Sequence, residues 1–308
     1  MLFLSEEIDL KKFFIFNPIA GQGKAGRAFL QSLEEVMKTD PSIHLYVTKG
    51  VGDATTFADK IATKYKEDIY IYACGGDGTT YEVINGIADH DNVYVGIVPT
   101  GSCNDFLKSY TDYDFLDLNK QLNAKVKKID LLRVNGHYCL NEANIGFDAR
   151  VNYDQIQLRK KCKSIKQAYN RAIIKNLLIP LSEPMKVVCD GKEFYNANST
   201  LIAICNGNYY GGGFKVAPYA KDNDGILDVV LVKKLFVLSF AMLIKKFRAG
   251  LHLADKKCMK HIKYTTCKEV TISADHQLCL TIDGETFHTD TVNIKVLPDK
   301  IRFLLPEK

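Results

Sequence analysis

Two different hydrophobic periods divide the chain. In the first third, short continuous apolar runs at residues 13–16, 45–47, 69–73 and 93–98 alternate with stretches of helical spacing at 25–37, 53–64 and 80–88. A continuous apolar run suits a strand covered on both faces, so this alternation predicts a mainly parallel sheet layered by helices. Near Val126 the pattern changes to short alternating strands joined by tight turns, with Asn135-Gly136 and Asp190-Gly191 as hairpin signals. A second, antiparallel domain is therefore expected, giving domains of 1–127 and 128–308. Two helical stretches, 166–178 and 236–251, interrupt it before strands resume at 269–282. The last apolar segment, 301–305, either stays in that domain or packs back on the first.

A chain of 308 residues with 46% hydrophobic content supports two packed cores. Acids at Glu6, Glu7 and Asp9 stand where a secretory leader carries basic residues, so export is not expected. The longest strongly apolar run, 235–244, is half the length a membrane span requires, which leaves a soluble or peripheral, cytoplasmic protein as the expectation. Nine cysteines without a Cys-x-x-Cys pair read as buried thiols in a reducing compartment.

Charge adds something the periodicity lacks. Residues 150–175 hold eight Lys/Arg against one Asp, and residues 233–263 hold nine against one. Together they carry +15, which leaves about −10 for the rest. Such segregation suits a protein that meets an anionic surface, or else two solvated helix faces. The run 235–244, flanked by Lys pairs, reads as a helix buried between lysine-rich ends or as an interfacial face.

Three polar loops follow buried strands. The most informative is Gly75-Gly76-Asp77-Gly78-Thr79-Thr80, where glycines remove the Cβ atoms that would hold a phosphate away and admit positive φ. Successive amide N–H groups and a helix N-terminus then make an anion site, and Asp77 is placed to take a proton or bind a metal. The loop Asn17-Pro18-Ile19-Ala20-Gly21 continues into Gly-x-Gly-x-x-Gly at 21, 23 and 26. A dinucleotide fold would need an acid about 20 residues later, and Tyr46-Val47-Thr48-Lys49 supplies none, so this loop reads as a second phosphate contact with Thr48 near the nucleotide. The third loop is Thr100-Gly101-Ser102-Cys103-Asn104-Asp105-Phe106. Loops at the same end of a parallel sheet define a crevice.

Taken together these residues resemble the diacylglycerol kinase superfamily, which includes sphingosine and ceramide kinases, and in particular its soluble bacterial lipid kinases. The family's Asn-Pro-x-x-Gly, Gly-Gly-Asp-Gly-Thr and Gly-Thr-x-Asn-Asp-Phe elements stand here at 17–21, 75–79 and 101–106. Asn144-Ile145-Gly146-Phe147-Asp148-Ala149, Tyr210-Gly211-Gly212-Gly213, Asp224-Gly225-Ile226-Leu227-Asp228 and Asp283-Gly284-Glu285 extend the match over nearly the whole chain. Gly-Gly-Asp-Gly-Thr alone is shared with NAD kinases; the set is specific.

The resemblance implies an α/β plus β fold class: a three-layer α/β nucleotide-binding domain, a β-sandwich-like second domain and a lipid site in the cleft between them. It implies ATP-dependent phosphorylation of a lipid hydroxyl, with diacylglycerol giving phosphatidic acid as the expected reaction. The alternatives are an NAD kinase-like enzyme with a soluble acceptor, or a catalytically silent sensor. Glu285 corresponds to the family's proposed general base, a role that eukaryotic relatives give to the position of Asp77. ATP is assigned to Asn17, Pro18, Ile19, Ala20, Gly21, Thr48, Gly75, Gly76, Asp77, Gly78, Thr79, Thr80 and Ser102, and the lipid to Asn104, Asp105 and Asp148. Asp224, with the carbonyls of Lys221 and Ile226, matches a structural Mg²⁺ site, in keeping with that ion's preference for oxygen ligands. The expected partners are a lipid substrate and an anionic membrane surface, without nucleic acid; a homodimer is left open. Two departures from the family pattern are Ser102, where Thr is usual, and Tyr81, where Asn is usual.

Overall fold

The computed structural model describes residues 10–20, 23–159 and 161–308. The chain divides into two compact units, one made of Met1–Asn104, Thr111–Lys128 and Ile301–Lys308 and the other of Asp105–Tyr110 and Ile129–Lys300.

The first unit alternates strand and helix: β1 (Lys12–Phe16), α1 (Lys24–Met37), β2 (Ile43–Val47), α2 (Asp53–Lys64), β3 (Ile69–Gly75), α3 (Asp77–Ile87), β4 (Val93–Pro99) and the short α4 (Leu118–Leu122). The strands lie in the order β4-β3-β1-β2 and every pair is parallel. Residues from the end of the chain extend this sheet, with Arg302 opposite Tyr94 and Phe303 opposite Val95, again in parallel. Phe14 and Tyr72 stack at 4.3 Å between ring centres, with Phe29 and Leu33 of α1 in the same core. A buried polar side chain is tied into this core: Gln121 of α4 donates to the carbonyls of Ile97 and Phe115, and its backbone carbonyl accepts from the Tyr72 hydroxyl at 2.9 Å. Buried polar groups keep this kind of pairing because an unmade bond costs about 1–3 kcal/mol.

The second unit contains β5 (Lys125–Val134), which begins in the first, then β6 (His137–Cys139), β7 (Glu142–Gly146), α5 (Phe147–Arg159), α6 (Ile165–Leu177), β8 (Glu183–Cys189), β9 (Lys192–Cys205), β10 (Leu227–Lys233), α7 (Val237–Ala249), β11 (Ile262–Cys267), β12 (Glu269–Ile282) and β13 (Glu285–Leu305). Two long strands organise it. One half of β9 pairs with β8 and the other with β7, and β12 does the same from the opposite side, so β7 and β8 lie end to end between them. β10 and β11 continue beyond β9, and these pairings are all antiparallel. The hairpins at Asn135-Gly136 and Asp190-Gly191 have two residues at positive φ, as type I′ turns require, and Asp283-Gly284 between β12 and β13 is a third.

Helix α5 lies outside the helical stretches the periodicity predicts. Its buried positions are Phe147, Ala149, Val151 and Asp154, a mixture of large, small and charged side chains without an apolar stripe. Asp154 is held by Lys175 at 2.6 Å and Asn176 at 2.7 Å, which adds hydrogen bonds to the apolar contact of Phe147 and Val151 of α5 with Ala172 of α6. The basic stretches fall on α5 with α6, and on α7 with the segment after it. Among the described residues no helix is long and apolar enough to cross a membrane.

Candidate functional site

In the first unit the predicted nucleotide residues gather at the carboxyl ends of β1, β3 and β4. Asn17 follows β1, its backbone N–H donating to the Cys74 carbonyl at 2.9 Å. Its side chain accepts from the N–H groups of Ile19 and Ala20 and donates to Thr79 Oγ1 at 3.0 Å, so the loop containing Pro18 is fastened to the start of α3. Gly21 lies outside the described residues. Thr48 is joined to the same sheet end by its N–H on the Phe16 carbonyl.

The glycines act differently from the expectation. Gly75, Gly76 and Gly78 have no positive φ. Their use is close approach: Gly101 donates to the Gly75 carbonyl at 2.9 Å, and a Cβ on Gly101 would come within 2.4 Å of Gly76 Cα. A Cβ on Gly75 would strike the Thr79 side chain at 2.2 Å. Nor does the helix wait until Thr80. It starts at Asp77, with Thr80 N–H already bonded to the Gly76 carbonyl, so Asp77, Gly78 and Thr79 form the first turn, whose N–H groups have no intrahelical acceptor. The Asp77 carboxylate accepts from the Asn104 N–H at 3.0 Å, with Asn104 at φ 51°. Among the described residues the buried Asn104 Oδ1 has no hydrogen-bond partner, and Ser102 is exposed. Glu82, assigned no role beforehand, caps a neighbouring helix: its carboxylate accepts from Gly52 and Ala54 at the start of α2.

The second unit brings together a different set. Asp105 is buried, pairs with Lys108 and accepts from the Gly212 N–H at 2.8 Å. Asp148 opens α5 and accepts from the Tyr210 hydroxyl; burial pushes its pKa up to about 6, against the pull of that hydrogen bond. Asp148 lines a cavity of about 190 Å³ whose exposed surface is mainly apolar, walled by Leu201 and Val232 of the sheet and Leu243 and Phe247 of α7. Glu142 opens on the same cavity, and burial, reinforced by the nearby Asp283 carboxylate, holds it well above the usual carboxylate range. Asp283 is itself cradled by the N–H groups of Leu140, Asn141 and Glu142, which locks the third hairpin against β7. Gly284 of that hairpin lines the cavity, and Asn152 of α5 holds its carbonyl at 2.6 Å. Glu285, half-buried, is the next residue.

Glu142, Asn144, Tyr210 and Thr281 were not picked out as chemistry-bearing side chains. Asn144 and Tyr210 stood inside the family motifs without a role, while Glu142 and Thr281 were signalled by polarity at inward strand positions, which single residues in short strands convey weakly.

Lys221, Asp224 and Ile226 lie on the loop before β10. Asp224 is exposed and adjoins Gly225 at φ 72°. Asp130 nearby is pushed up by burial, and the charges of Asp299 and Asp224 add to this, so the loop is locally anionic. An exposed carboxylate on a turn suits a hard cation taking oxygen ligands. Among the described residues no three His, Cys, Asp or Glu side chains converge on one ion, so backbone carbonyls would have to complete such a site.

Comparison with known proteins matches the chain in two successive parts. Residues 11–134 match the diacylglycerol kinase catalytic domain, and residues 141–305 match the YegS C-terminal NAD kinase beta sandwich-like domain. A diacylglycerol kinase of Bacillus subtilis (strain 168) is 31% identical over 278 residues, covering 88% of each chain. The crystal structure of a diacylglycerol kinase from Bacillus anthracis str. Sterne superposes with a TM-score of 0.70 at 25% identity over 96% of each chain. A yeast NADH kinase complexed with NADH shares the fold, with a TM-score of 0.52 at 10% identity over 97% of this chain and 84% of its own. With the catalytic-domain match over the glycine-rich loops and the C-terminal match over the strands that wall the cavity, the chain belongs to the diacylglycerol kinase superfamily and is a lipid kinase.

Proposed function

We propose that the protein transfers the γ-phosphoryl group of ATP to the free hydroxyl of diacylglycerol, giving phosphatidic acid. The observation that carries this reading is the cavity of the second unit: apolar walls suited to an acyl chain, with Asp148, Glu142 and Gly284 among its borders. A soluble acceptor would have no use for that apolar surface, which weighs against the NAD kinase-like alternative.

In the reaction the lipid oxygen attacks the γ-phosphorus, the bond from that phosphorus to the β,γ-bridging oxygen breaks, and ADP leaves. The hydroxyl proton passes to a carboxylate, for which Glu285 and Asp77 are the candidates. Phosphoryl transfer asks for positioning and charge neutralisation more than covalent help. The first turn of α3 and the Asn17 loop supply N–H donors for the phosphates, with Thr48 and Ser102 beside them. Asp148, oriented by Tyr210, and Asn104 and Asp105 are assigned to the lipid's polar end. Asp224 with the carbonyls of Lys221 and Ile226 would hold Mg²⁺, which would stabilise that loop; a second ion accompanying ATP would neutralise phosphate charge.

The lipid has to be drawn from a membrane. Exposed Ile174, Leu178 and Phe236 lie among the lysines and arginines of α6 and the start of α7, a pairing of apolar and basic side chains that favours an anionic bilayer surface.

The test is incubation with γ-labelled ATP, Mg²⁺ and a membrane lipid extract, alongside Asp77→Ala and Glu285→Ala. Label in a product with the mass of phosphatidic acid, lost in both variants while they remain folded, is the expected result. Unchanged turnover in both variants would remove these residues from the mechanism. Label on a different lipid would replace the acceptor.

A further inference from the structure

On a strand, alternate side chains share a face, so Glu142 and Asn144 of β7 point the same way. Thr281 of β12 is the register partner of Asn144. All three line the cavity and all are almost wholly buried, at 4%, 3% and 2% exposure. Asn144 Nδ2 donates to Glu142 Oε2 at 2.7 Å. The other polar ends are unmet: among the described residues, neither Asn144 Oδ1 nor Thr281 Oγ1 has a hydrogen-bond partner. Leaving one such atom unpaired in a dry interior is costly, and here two sit side by side on the floor of an apolar cavity. Valine and leucine would fill these positions without that penalty, so the arrangement is one that a ligand would complete.

We propose that Glu142, Asn144 and Thr281 form a specificity-determining point that binds an acyl ester carbonyl of the lipid within the tail cavity. The proposal rests on the diacylglycerol reading and deepens it. A carbonyl oxygen accepts two hydrogen bonds, and the Thr281 hydroxyl supplies one. The Glu142–Asn144 pair supplies the other. Burial favours the acid form of Glu142, whose O–H would then donate into the cavity directly. Equally it can donate to an Asn144 amide turned over, whose NH₂ then faces the cavity, since oxygen and nitrogen of an amide exchange places without a change of shape. In the second arrangement the floor presents donors alone, which an ester carbonyl matches and an alkyl chain does not.

The experiment compares 1,2-dioctanoylglycerol with its 1,2-dioctyl ether, which keeps the acceptor hydroxyl and the chains but lacks both carbonyls. Wild-type kcat/KM should favour the ester by about 10- to 100-fold. Thr281→Val, nearly equal in volume, should lower kcat/KM for the ester about tenfold and leave the ether within about twofold, while Thr281→Ser should restore the preference. Equal wild-type efficiency on ester and ether overturns the proposal without any variant having to fold. A loss of the same size on both substrates in Thr281→Val also overturns it, since that is the mark of a structural role. If neither glyceride is labelled while another lipid in a membrane extract is, the diacylglycerol reading fails and this inference fails with it.

Discussion

Gly101 lies so close to Gly76 that a Cβ at 101 would come within 2.4 Å of the Gly76 Cα and 2.6 Å of its nitrogen. The contact is backbone against backbone, which cannot yield as a flexible side chain would, so the loop after β4 has to move away from the loop before α3. Gly101→Ala should weaken ATP binding by at least about tenfold and lower stability by about 1–3 kcal/mol. Gly50→Ala, where nothing lies within 4 Å of the added carbon, should leave both unchanged. ATP titration and denaturant unfolding of the two variants check this.

Glu82 joins α3 to the start of α2, its carboxylate accepting from the Gly52 N–H at 2.9 Å and the Ala54 N–H at 3.1 Å. It does the work of a helix N-cap from a distance, and a negative charge there also complements the helix dipole. Glu82→Ala should cost about 1–2 kcal/mol, read as a lower urea midpoint with an unchanged slope.

Asp148 makes stability depend on pH in the direction opposite to a salt-bridged carboxylate. Its pKa rises from 3.8 to about 6 in the fold, chiefly through burial, so the folded state binds the proton more tightly than the unfolded state does. The stabilising contribution is complete below pH 3.8 and is lost as pH climbs through about 6. Asp148→Asn retains an acceptor for Tyr210 and removes the charge. At pH 8 it should be more stable than the wild type by about 1–3 kcal/mol, with the gap narrowing as pH is lowered to 5. Urea unfolding at the two pH values decides it, and a gap that widens on acidification would reverse the assignment.

The parts of the molecule that could be read from the sequence are those where one physical cause acts alone. β1, β3 and β4 are covered on both faces, and uninterrupted apolar runs show as much. Asn135-Gly136 and Asp190-Gly191 were legible because a type I′ turn demands positive φ at both positions. Asp283-Gly284 obeys the same rule, yet it entered only through the family motif. The start of α3 was read three residues late because glycines at 75, 76 and 78 look like a loop, whereas only Gly75 and Gly76 precede the helix and Gly78 lies in its first turn. Helix α5 was missed because its inner face mixes Phe147, Ala149 and Val151 with Asp154, whose partners Lys175 and Asn176 are tertiary, so no clean apolar period shows in the sequence. The same holds for the cavity: Glu142 and Thr281 are 139 residues apart in sequence and only strand pairing places both on one wall.

If the cavity takes an acyl chain, filling it should affect the lipid and spare the nucleotide. Leu243 of α7 is 7% exposed and lines the cavity with Phe247. Leu243→Trp adds an indole to a space of about 190 Å³. Phosphorylation of a long-chain diacylglycerol should fall at least about tenfold through KM, because one site lost to the ligand removes binding shared by ground and transition states. ATP affinity, measured by direct titration, should not move, and Leu243→Ala should keep most of the activity despite a stability loss of about 2–4 kcal/mol. The contrast between the two variants is the discriminating result, because an enlarged cavity and a blocked one both disturb α7, but only the blocked one excludes the chain. Equal activity losses in Leu243→Ala and Leu243→Trp would mean that α7 matters for its packing and that the acyl chain binds elsewhere.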